Sequence, residues 1–515
     1  MPDITIAESN LERRYANKII GVISCLDRVV IQGTLPQWCY AEGMTSYLNS
    51  HQIRIFDYPR FAEPLRDEIR ANAEAMAEKH GVEIQFVRKA NTRKETLVAN
   101  IIKERGTQPG LVCILSAMES CATYKPWFDK KQHRAYLRPA TGKCLHYYFY
   151  FIDADYGLCH VRVPTWCPFR LQVYFNGHGY LAAQLAKRGV GHTALENAFI
   201  AIDDFSRAQQ LADELDVRQL QRFLDRLARS CCPVIDTLKV GYHWSLMQVE
   251  FSTDILFRSK EDLSPLYESL TRTAIQAIKA QQVATFLSRK LHGNYTAELG
   301  GDFSTRIEGT RIRHHMGPTS IKMYDKFGRI LRIETTTNDV SFFRNHRLVE
   351  QRDGTSTFKL APLKKSIYSL HALRKLLLAA NQRYLEFLSA LDDPTPGIRS
   401  LDKVSRPVSD NGRTYKGFNF FLAEDLRSLT TIVAGEYAIR GFRSSDLTER
   451  LPHLSPSQRG RLIKRLRVHG LIKKVGYTYK YYLSQFGRCV IAAALKLKTF
   501  FLTPALSSQA LTANG

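Results

Sequence analysis

Residues 305–336 read TRIEGTRIRHHMGPTSIKMYDKFGRILRIETT. Apolar and polar side chains alternate here, and turn-forming groups interrupt the run at Met316-Gly317-Pro318 and Asp325-Lys326-Phe327-Gly328. Alternation with period two and turns at short intervals predict an antiparallel meander over 304–337. Lys322 and Tyr324 fall on one strand, Arg332 and Glu334 on the next. Register decides what meets what. An odd-length turn brings Tyr324 onto the face of Arg332 and Glu334, and an even one onto the face of Leu331 and Ile333. His314 and His315 are adjacent, so they point to opposite faces and at most one can join Tyr324.

The same pattern extends toward the N-terminus. Residues 240–252 (VGYHWSLMQVEFS) read as a strand between long helical stretches at 203–230 and 261–292. A further helix over 364–391 carries Leu370, Leu373, Leu377, Tyr384, Leu388 and Leu391 near helical spacing. Cys144 to Val163 reads as a hairpin turning through Asp153–Gly157. Leu145, Tyr147, Phe149 and Phe151 then face a core with Cys159, Val161 and Val163. Cys144, His146, Tyr148 and Tyr150 share the other face with His160 and Arg162. The run 170–176 adds Gln172 and Tyr174 to that polar, aromatic face, which has the rings and donors suited to single-stranded nucleic acid or RNA. Packing beneath helices is the alternative use of those rings. Asn176-Gly177-His178 reads as a shaped turn in which His178 is a base, a ligand or a structural histidine.

Residues 18–120 alternate in type. Apolar runs at 28–34, 52–56, 82–87 and 111–116 are separated by helical segments at 41–50, 60–79 and 93–105, a pattern predicting a parallel layer with crossovers. No G-x-G-x-x-G or G-x-x-x-x-G-K-[ST] is present, so nucleotide binding has no motif behind it. The fold class expected is α/β plus α+β: an N-terminal parallel α/β layer (1–125), a central α+β core of antiparallel sheets and long helices (126–391), a linker (392–425) and a C-terminal module (426–515).

In that module, Ser444 and Ser445 can cap a short helix. Ser455 caps a second, with Pro456 at its first position and Gly470 as its stop. Leu462, Ile463 and Leu466 form the buried stripe. Two short strands around Gly476-Tyr477 and a closing helix follow. This order resembles the winged helix-turn-helix modules of MarR- and ArsR-type regulators. Between 426 and 500 there are 15 Lys and Arg against three acids, a net +12. The resemblance implies that Ser457, Gln458, Arg459, Arg461, Lys464 and Arg465 on the second helix approach DNA, with Lys473, Lys474, Tyr477 and Lys480 along the wing. A winged helix serving protein contact alone is the alternative.

Tyr324-Asp325-Lys326 followed by Arg332-x-Glu334 is similar to the nucleophile strand of rolling-circle replication initiators of small Gram-positive plasmids. That likeness implies a tyrosine that attacks a phosphodiester and keeps the 5′ phosphate, aided by a divalent metal (Mg or Mn). Tyr324 would be the nucleophile and Glu334 a metal ligand. Lys322, Lys326 and Arg332 would stabilise phosphate charge. Glu250, Asp254, Asp302 and Glu308 are candidates for the remaining ligands. The bland reading is a hairpin whose Tyr-Asp-Lys is turn chemistry and whose Arg–Glu pair is a cross-strand contact. As a whole the chain resembles a widespread bacterial group of mobile-element-like proteins.

Composition sets the outer limits. The 515 residues are 44% hydrophobic and 11% aromatic, enough for several cores, which excludes a disordered or fibrous chain. The charge of +24 calls for an anionic partner. No run approaches the ~18–20 apolar residues that span a bilayer, and the N-terminus lacks a signal-peptide pattern. Ten cysteines without regular spacing point to a reduced, cytoplasmic setting rather than a disulfide framework. Cys144, His146, Cys159, His160 and Cys167 do not have zinc-site spacing, and alternation separates Cys159 from the rest. The expected function is nucleic-acid binding by a mobile-element protein, with metal-dependent DNA nicking at Tyr324 as its sharper form. A non-catalytic regulator and an RNA-binding ribonucleoprotein component, neither with a cofactor, are the alternatives. DNA is the expected partner, RNA the second, a membrane is not expected, and a homodimer stays open.

Overall fold

β-Branched and aromatic runs alternating with polar residues favour a pleated, half-buried surface, and here they build one sheet of eleven strands. The computed structural model describes residues 9–89, 92–290, 299–306, 309–351, 353–392, 395–476 and 478–503. The chain divides into two units, Met1–Asp392 and Asp393–Gly515. In the first, β1 (Ile19–Thr34), β2 (Ile84–Phe86), β3 (Gly110–Asp129), β4 (Arg134–Asp153), β5 (Gly157–Pro164) and β6 (Leu171–Asn176) precede a separate pair, β7 (His192–Leu195) and β8 (Ala198–Ile202). Then come β9 (His243–Phe257), β10 (Leu299–Arg306), β11 (Gly309–Met316), β12 (Thr319–Lys326), β13 (Ile330–Thr337) and a second separate pair, β14 (Arg344–Glu350) and β15 (Ser356–Pro362). The large sheet runs β10-β11-β12-β13-β9-β1-β6-β5-β4-β3-β2.

Four expectations change. The N-terminal strands form no parallel layer: β1 is antiparallel to both β6 and β9, and the parallel contact among them is the short β2–β3 pair. The boundary expected at 125/126 falls inside β3, which pairs along its length with β4, so the two expected domains share one sheet. The apolar run at 52–56 supplies a 3-10 turn, Ile55–Asp57, and no strand. The helical stretch at 203–230 is likewise two helices, Phe205–Asp213 and Val217–Cys231, the second capped by Asp216. The strand register at the hairpin holds as read, with Tyr150 opposite His160 and Phe151 opposite Cys159.

The sheet has one apolar and one mainly polar face. Val29, Ile31, Phe149, Val161, Val173, Phe175 and Phe251 pack under the helices Ala41–Ser50, Tyr58–His80 and Val217–Cys231. Ile255, Ile321, Met323, Leu331 and Ile333 continue that core under Lys260–Ala277 and Leu370–Asp392. The opposite face is covered only in part. Ile23, Cys25, Leu256 and Ile330 lie under the helices Gly177–Lys187 and Phe205–Asp213. At the other end Leu115, Tyr148 and Tyr150 lie under Lys94–Arg105. Gly177 is required where its helix meets β1: a Cβ there would stand 2.0 Å from the Leu26 carbonyl oxygen.

In the second unit the helix Thr395–Ser405, the hairpin β16 (Val408–Asp410) and β17 (Arg413–Tyr415), and the helix Ala423–Ile432 occupy most of the expected linker. The polar composition of 395–425 therefore reflects a capped and turned segment that packs through Val404 and Phe418. The helices Gly435–Arg440, Leu447–Arg450 and Pro456–Val468 follow, then β18 (Ile472–Lys474), β19 (Tyr481–Leu483) and the helix Gln485–Lys496. Leu462, Ile463 and Leu466 are buried as the spacing predicts, and Ser455 with Gln458 forms a reciprocal capping box. The first short helix is entered from Asp446 rather than capped by Ser444 or Ser445. Ser455→Ala should cost about 1 kcal/mol, read as a lower urea midpoint; an unchanged midpoint would show that the cap does not hold this helix. No helix among the described residues is long and apolar enough to cross a membrane.

Candidate functional site

The turn between β12 and β13 has three residues outside the ladder, 327–329, with Phe327 and Gly328 at positive φ. That odd count places Tyr324 opposite Arg332 and Lys322 opposite Glu334. Arg332 in turn faces Asp254 and Thr336 faces Glu250 on β9. One strand further, the β1–β9 register slips between Leu26 and Val29, so Asp27 and Arg28 together stand against the single residue Glu250. Such a bulge re-aims a side chain. Here it delivers Asp27 to Glu250 and Glu334: one carboxylate oxygen of each of the three lies within 4.8 Å of the others.

Tyr324 donates its hydroxyl hydrogen to Glu334 Oε2 at 2.7 Å, and Lys322 Nζ donates to Glu334 Oε1 at 2.5 Å. Lys322 also lies 3.8 Å from Glu250. Burial, then the negative charge of Glu334, push the Tyr324 phenol well above its ordinary value. Burial and Glu334 also push Glu250 up, against the pull of Lys322. Burial would raise Asp27 too, but His178, Arg332 and Asn197 override it and hold this carboxyl well below the usual range. Asn176 donates to Asp27 Oδ1 at 2.8 Å and Asn197 to Oδ2 at 2.7 Å. The site opens at Glu250 and Lys322, whose side chains are 15% and 18% exposed, while Tyr324 is 8% exposed.

Two expected phosphate ligands have other work. Arg332 is fully buried and donates to both oxygens of Asp254 at 2.6 Å, to Asp27 at 3.3 Å and to the Asn197 carbonyl at 2.5 Å. A guanidinium so committed positions its neighbours and does not reach a substrate. Asp254 is thereby removed from the metal candidates. Lys326 is turned to Asn197 and to Glu196, 3.4 Å away. Asp302 faces Arg313 on β10–β11, outside the cluster, and Glu308 lies outside the described residues. His178 is the structural histidine among the alternatives: it is buried between Asp27 and Asp254, with Nε2 3.1 Å from Arg332. Asp27 had no motif around it; the apolar run LDRVVIQ interrupted by a single acid was the available signal.

The aromatic face differs from an open stacking platform. His146, Tyr148 and Tyr150 are buried. Tyr148 donates to both oxygens of Glu119, which also accepts from Lys94 at 2.9 Å and from Arg162 at 2.9 Å. His160 lies between the Tyr150 and Tyr174 rings, at centroid distances of 4.8 and 5.0 Å. Among the described residues the carboxylate trio is the one group of His, Cys, Asp and Glu side chains whose ligand atoms converge within 4.8 Å.

Burial pushes His146 down to about 4, His160 to about 3 and His314 to about 4. These imidazoles are neutral in the fold but take up protons near 6.5 when unfolded, so stability falls as pH drops from about 6.5 toward 4. At pH 5 each should have lost up to about 2 kcal/mol of support. Denaturant midpoints at pH 7 and pH 5 check this, and equal midpoints would contradict it.

In the second unit Ser457, Arg461, Lys473 and Lys474 are exposed. The others are engaged. Gln458 accepts from the Ser455 amide at 2.7 Å, Arg459 donates to the Leu454 carbonyl at 2.7 Å, and Lys464 pairs with Asp410. Arg465 binds Asp425 at 2.6 Å and the carbonyls of Lys416 and Gly417, so it braces the 416–425 segment instead of pointing outward. Lys480 is half-buried over Tyr482, and Tyr477 lies outside the described residues. No family model, no curated protein and no solved structure matches this chain.

Proposed function

We propose that the first unit nicks DNA through Tyr324 and that the second, read as a winged helix-turn-helix, binds the DNA it acts on. The observation that carries this is the Tyr324 hydroxyl 2.7 Å from Glu334, inside a group of three carboxylates. A phenol is a poor nucleophile until it loses its proton, and Glu334 is within range to accept it. The Tyr324 oxygen then bonds to phosphorus, the bond from phosphorus to the 3′ oxygen breaks, and that oxygen leaves to take a proton from solvent. Lys322, which donates to Glu334 and borders the opening, would face the charge that forms on the phosphate. Arg332 and His178 hold Asp27 and Asp254 in place.

The residues present fit the divalent metal that the initiator likeness implies. Asp27, Glu250 and Glu334 offer hard oxygen donors in one place, the ligand type that Mg and Mn prefer. Held there, the ion would supply charge stabilisation at the phosphate. Mn²⁺ at about 100 times its Kd should stabilise the protein by about 2.7 kcal/mol. The shift in melting temperature should vanish in Glu250→Gln and Asp27→Asn; a shift that persists in both places the ion elsewhere.

The direct test uses a pool of single-stranded 40-mers labelled at the 3′ end, with Mn²⁺ and with EDTA. An SDS-stable labelled protein band that needs the metal and is lost in Tyr324→Phe supports the reading. Nicking at full rate without an adduct would sink it. A non-catalytic DNA-binding regulator is the second reading, supported by the net +12 of residues 426–500. It predicts no adduct from any strand, steep salt dependence on duplex DNA and loss of binding when 426–515 are deleted.

A further inference from the structure

Among the described residues, β14 and β15 form a two-stranded ribbon hydrogen-bonded to no other sheet. A lone hairpin is at best marginally stable in water, yet this one carries large apolar side chains in the open. Leu348 pairs directly with Phe358, and His346 with Leu360, so all four share one face. Phe358 is 71% exposed, Leu348 61% and Leu360 52%. The His346 ring stacks on Phe358 at 5.8 Å, extending a flat surface along the ribbon. On the other face the half-buried Arg347, whose guanidinium donates to the carbonyls of Pro362 at 2.9 Å and Leu348 at 3.3 Å, stands directly opposite the exposed Lys359. Like charges directly opposite each other destabilise a strand pair, and an anion over them offsets the repulsion. Arg344 and Lys364 add charge at the base, where Lys365 pairs with Asp339 at 3.3 Å.

The ribbon is rooted at the candidate site. It follows β13, the strand of Glu334, by way of a short 3-10 turn, Val340–Phe342. It returns to β9, the strand of Glu250, where the Leu246 amide donates to the Lys365 carbonyl at 2.6 Å and Ser245 bridges Ser366. One face offers apolar and aromatic groups, the other cations, and both start from the strands that hold the carboxylates.

We propose that this hairpin grips single-stranded DNA that passes round its edge, with unstacked bases on Leu348, Phe358, Leu360 and His346 and the phosphates of neighbouring nucleotides reaching Arg347 and Lys359. The inference rests on the reading of the protein as a DNA-acting one and assigns a surface that presents an unpaired strand to the site. Bases stack on aromatic side chains without regard to sequence, and cations on the reverse face suit the charge that follows the bases.

The test uses the full chain, fluorescein-labelled dT30 and a 30-bp duplex of arbitrary sequence. Leu348→Ser with Phe358→Ser should weaken dT30 binding about tenfold or more and leave duplex binding and the melting temperature unchanged. Arg347→Gln with Lys359→Gln should reduce the salt slope for dT30 by about one to two. Unchanged dT30 affinity in the Leu348/Phe358 variant overturns the hairpin's role while leaving DNA binding standing. If the wild-type chain binds neither probe, the DNA reading itself fails, and this proposal with it. A wild-type dimer in sedimentation that dissociates in the Leu348/Phe358 variant, with dT30 affinity unchanged, would assign the face to a second copy. Tyr324→Phe should bind both probes as wild type does, so a failed adduct test does not bear on the hairpin.

Discussion

Arg332→Met should destabilise the first unit by about 3–5 kcal/mol, the range for breaking a buried ion pair from one side. The reason lies in what is left behind. Asp254 is buried and takes two hydrogen bonds from Arg332, and Asp27 takes a third. Removing the guanidinium leaves these carboxylates with His178 as their nearest cation, and the Asn197 carbonyl loses its donor. Both carboxyls are held below their usual range with Arg332 among the causes, so they should protonate at higher pH in the variant. Stability carried by a depressed carboxyl is present above the unfolded pKa and is lost as pH falls through the folded one. The variant should therefore lose its remaining stability at a higher pH than wild type does. Urea titrations at pH 7 and pH 5 measure both effects. A loss under 1 kcal/mol would mean that the cluster is solvated, contrary to its burial. Adding Asp254→Leu should recover part of the loss, because it removes an uncompensated buried charge.

Tyr324→Phe should abolish the covalent DNA adduct, a loss on the order of 10³-fold or more in strand cleavage. The phenol oxygen is the atom that bonds to phosphorus in the proposed chemistry, and phenylalanine keeps the ring and its packing. The Mn²⁺-induced rise in melting temperature should survive in this variant, because Tyr324 is not among the three carboxylates. That separates loss of the nucleophile from loss of the site. Glu334→Gln should lose both, the ion through its missing charge and the rate through the missing proton acceptor, by about 10²–10⁴-fold. An adduct of wild-type yield in Tyr324→Phe would move the nucleophile elsewhere. Loss of the metal effect along with the adduct would show that the substitution disturbs the fold of the cluster.

Local rules made much of this molecule legible. The hairpin 144–163 pairs as its alternation requires, because a slip of one residue would bury Tyr148, His160 and Arg162 on the apolar face. The helix Pro456–Val468 starts at Ser455 and Pro456 because cap and ring act within one turn. The face of Tyr324 hung on the parity of a single turn, which the sequence left open and the three residues 327–329 decide.

Contacts between distant segments were beyond such rules. Whether β1 and β3 run parallel or antiparallel to their neighbours depends on which strands meet, and runs buried on one or both faces look alike in sequence. Tyr148 and Tyr150 have the alternation of an exposed face, yet the helix Lys94–Arg105 covers them. The side chains of Arg332 and Lys322 point to the same face of the sheet with the same charge. One is sealed against Asp254 beneath the Gly177–Lys187 helix and the 196–197 turn, and the other borders the opening. Asp27 joins Glu250 and Glu334 only because a bulge in β1, far upstream of β9 in the chain, re-aims it. Periodicity and caps act over a few residues, so the chain alone set the hairpin at 144–163, the meander and the helix Pro456–Val468, while the 3-10 turn at 55–57 and the structured segment 395–425 escaped it. Which carboxylates complete the site, and which cations are spent holding it, depends on desolvation and charge pairing that arise once strands hundreds of residues apart lie side by side.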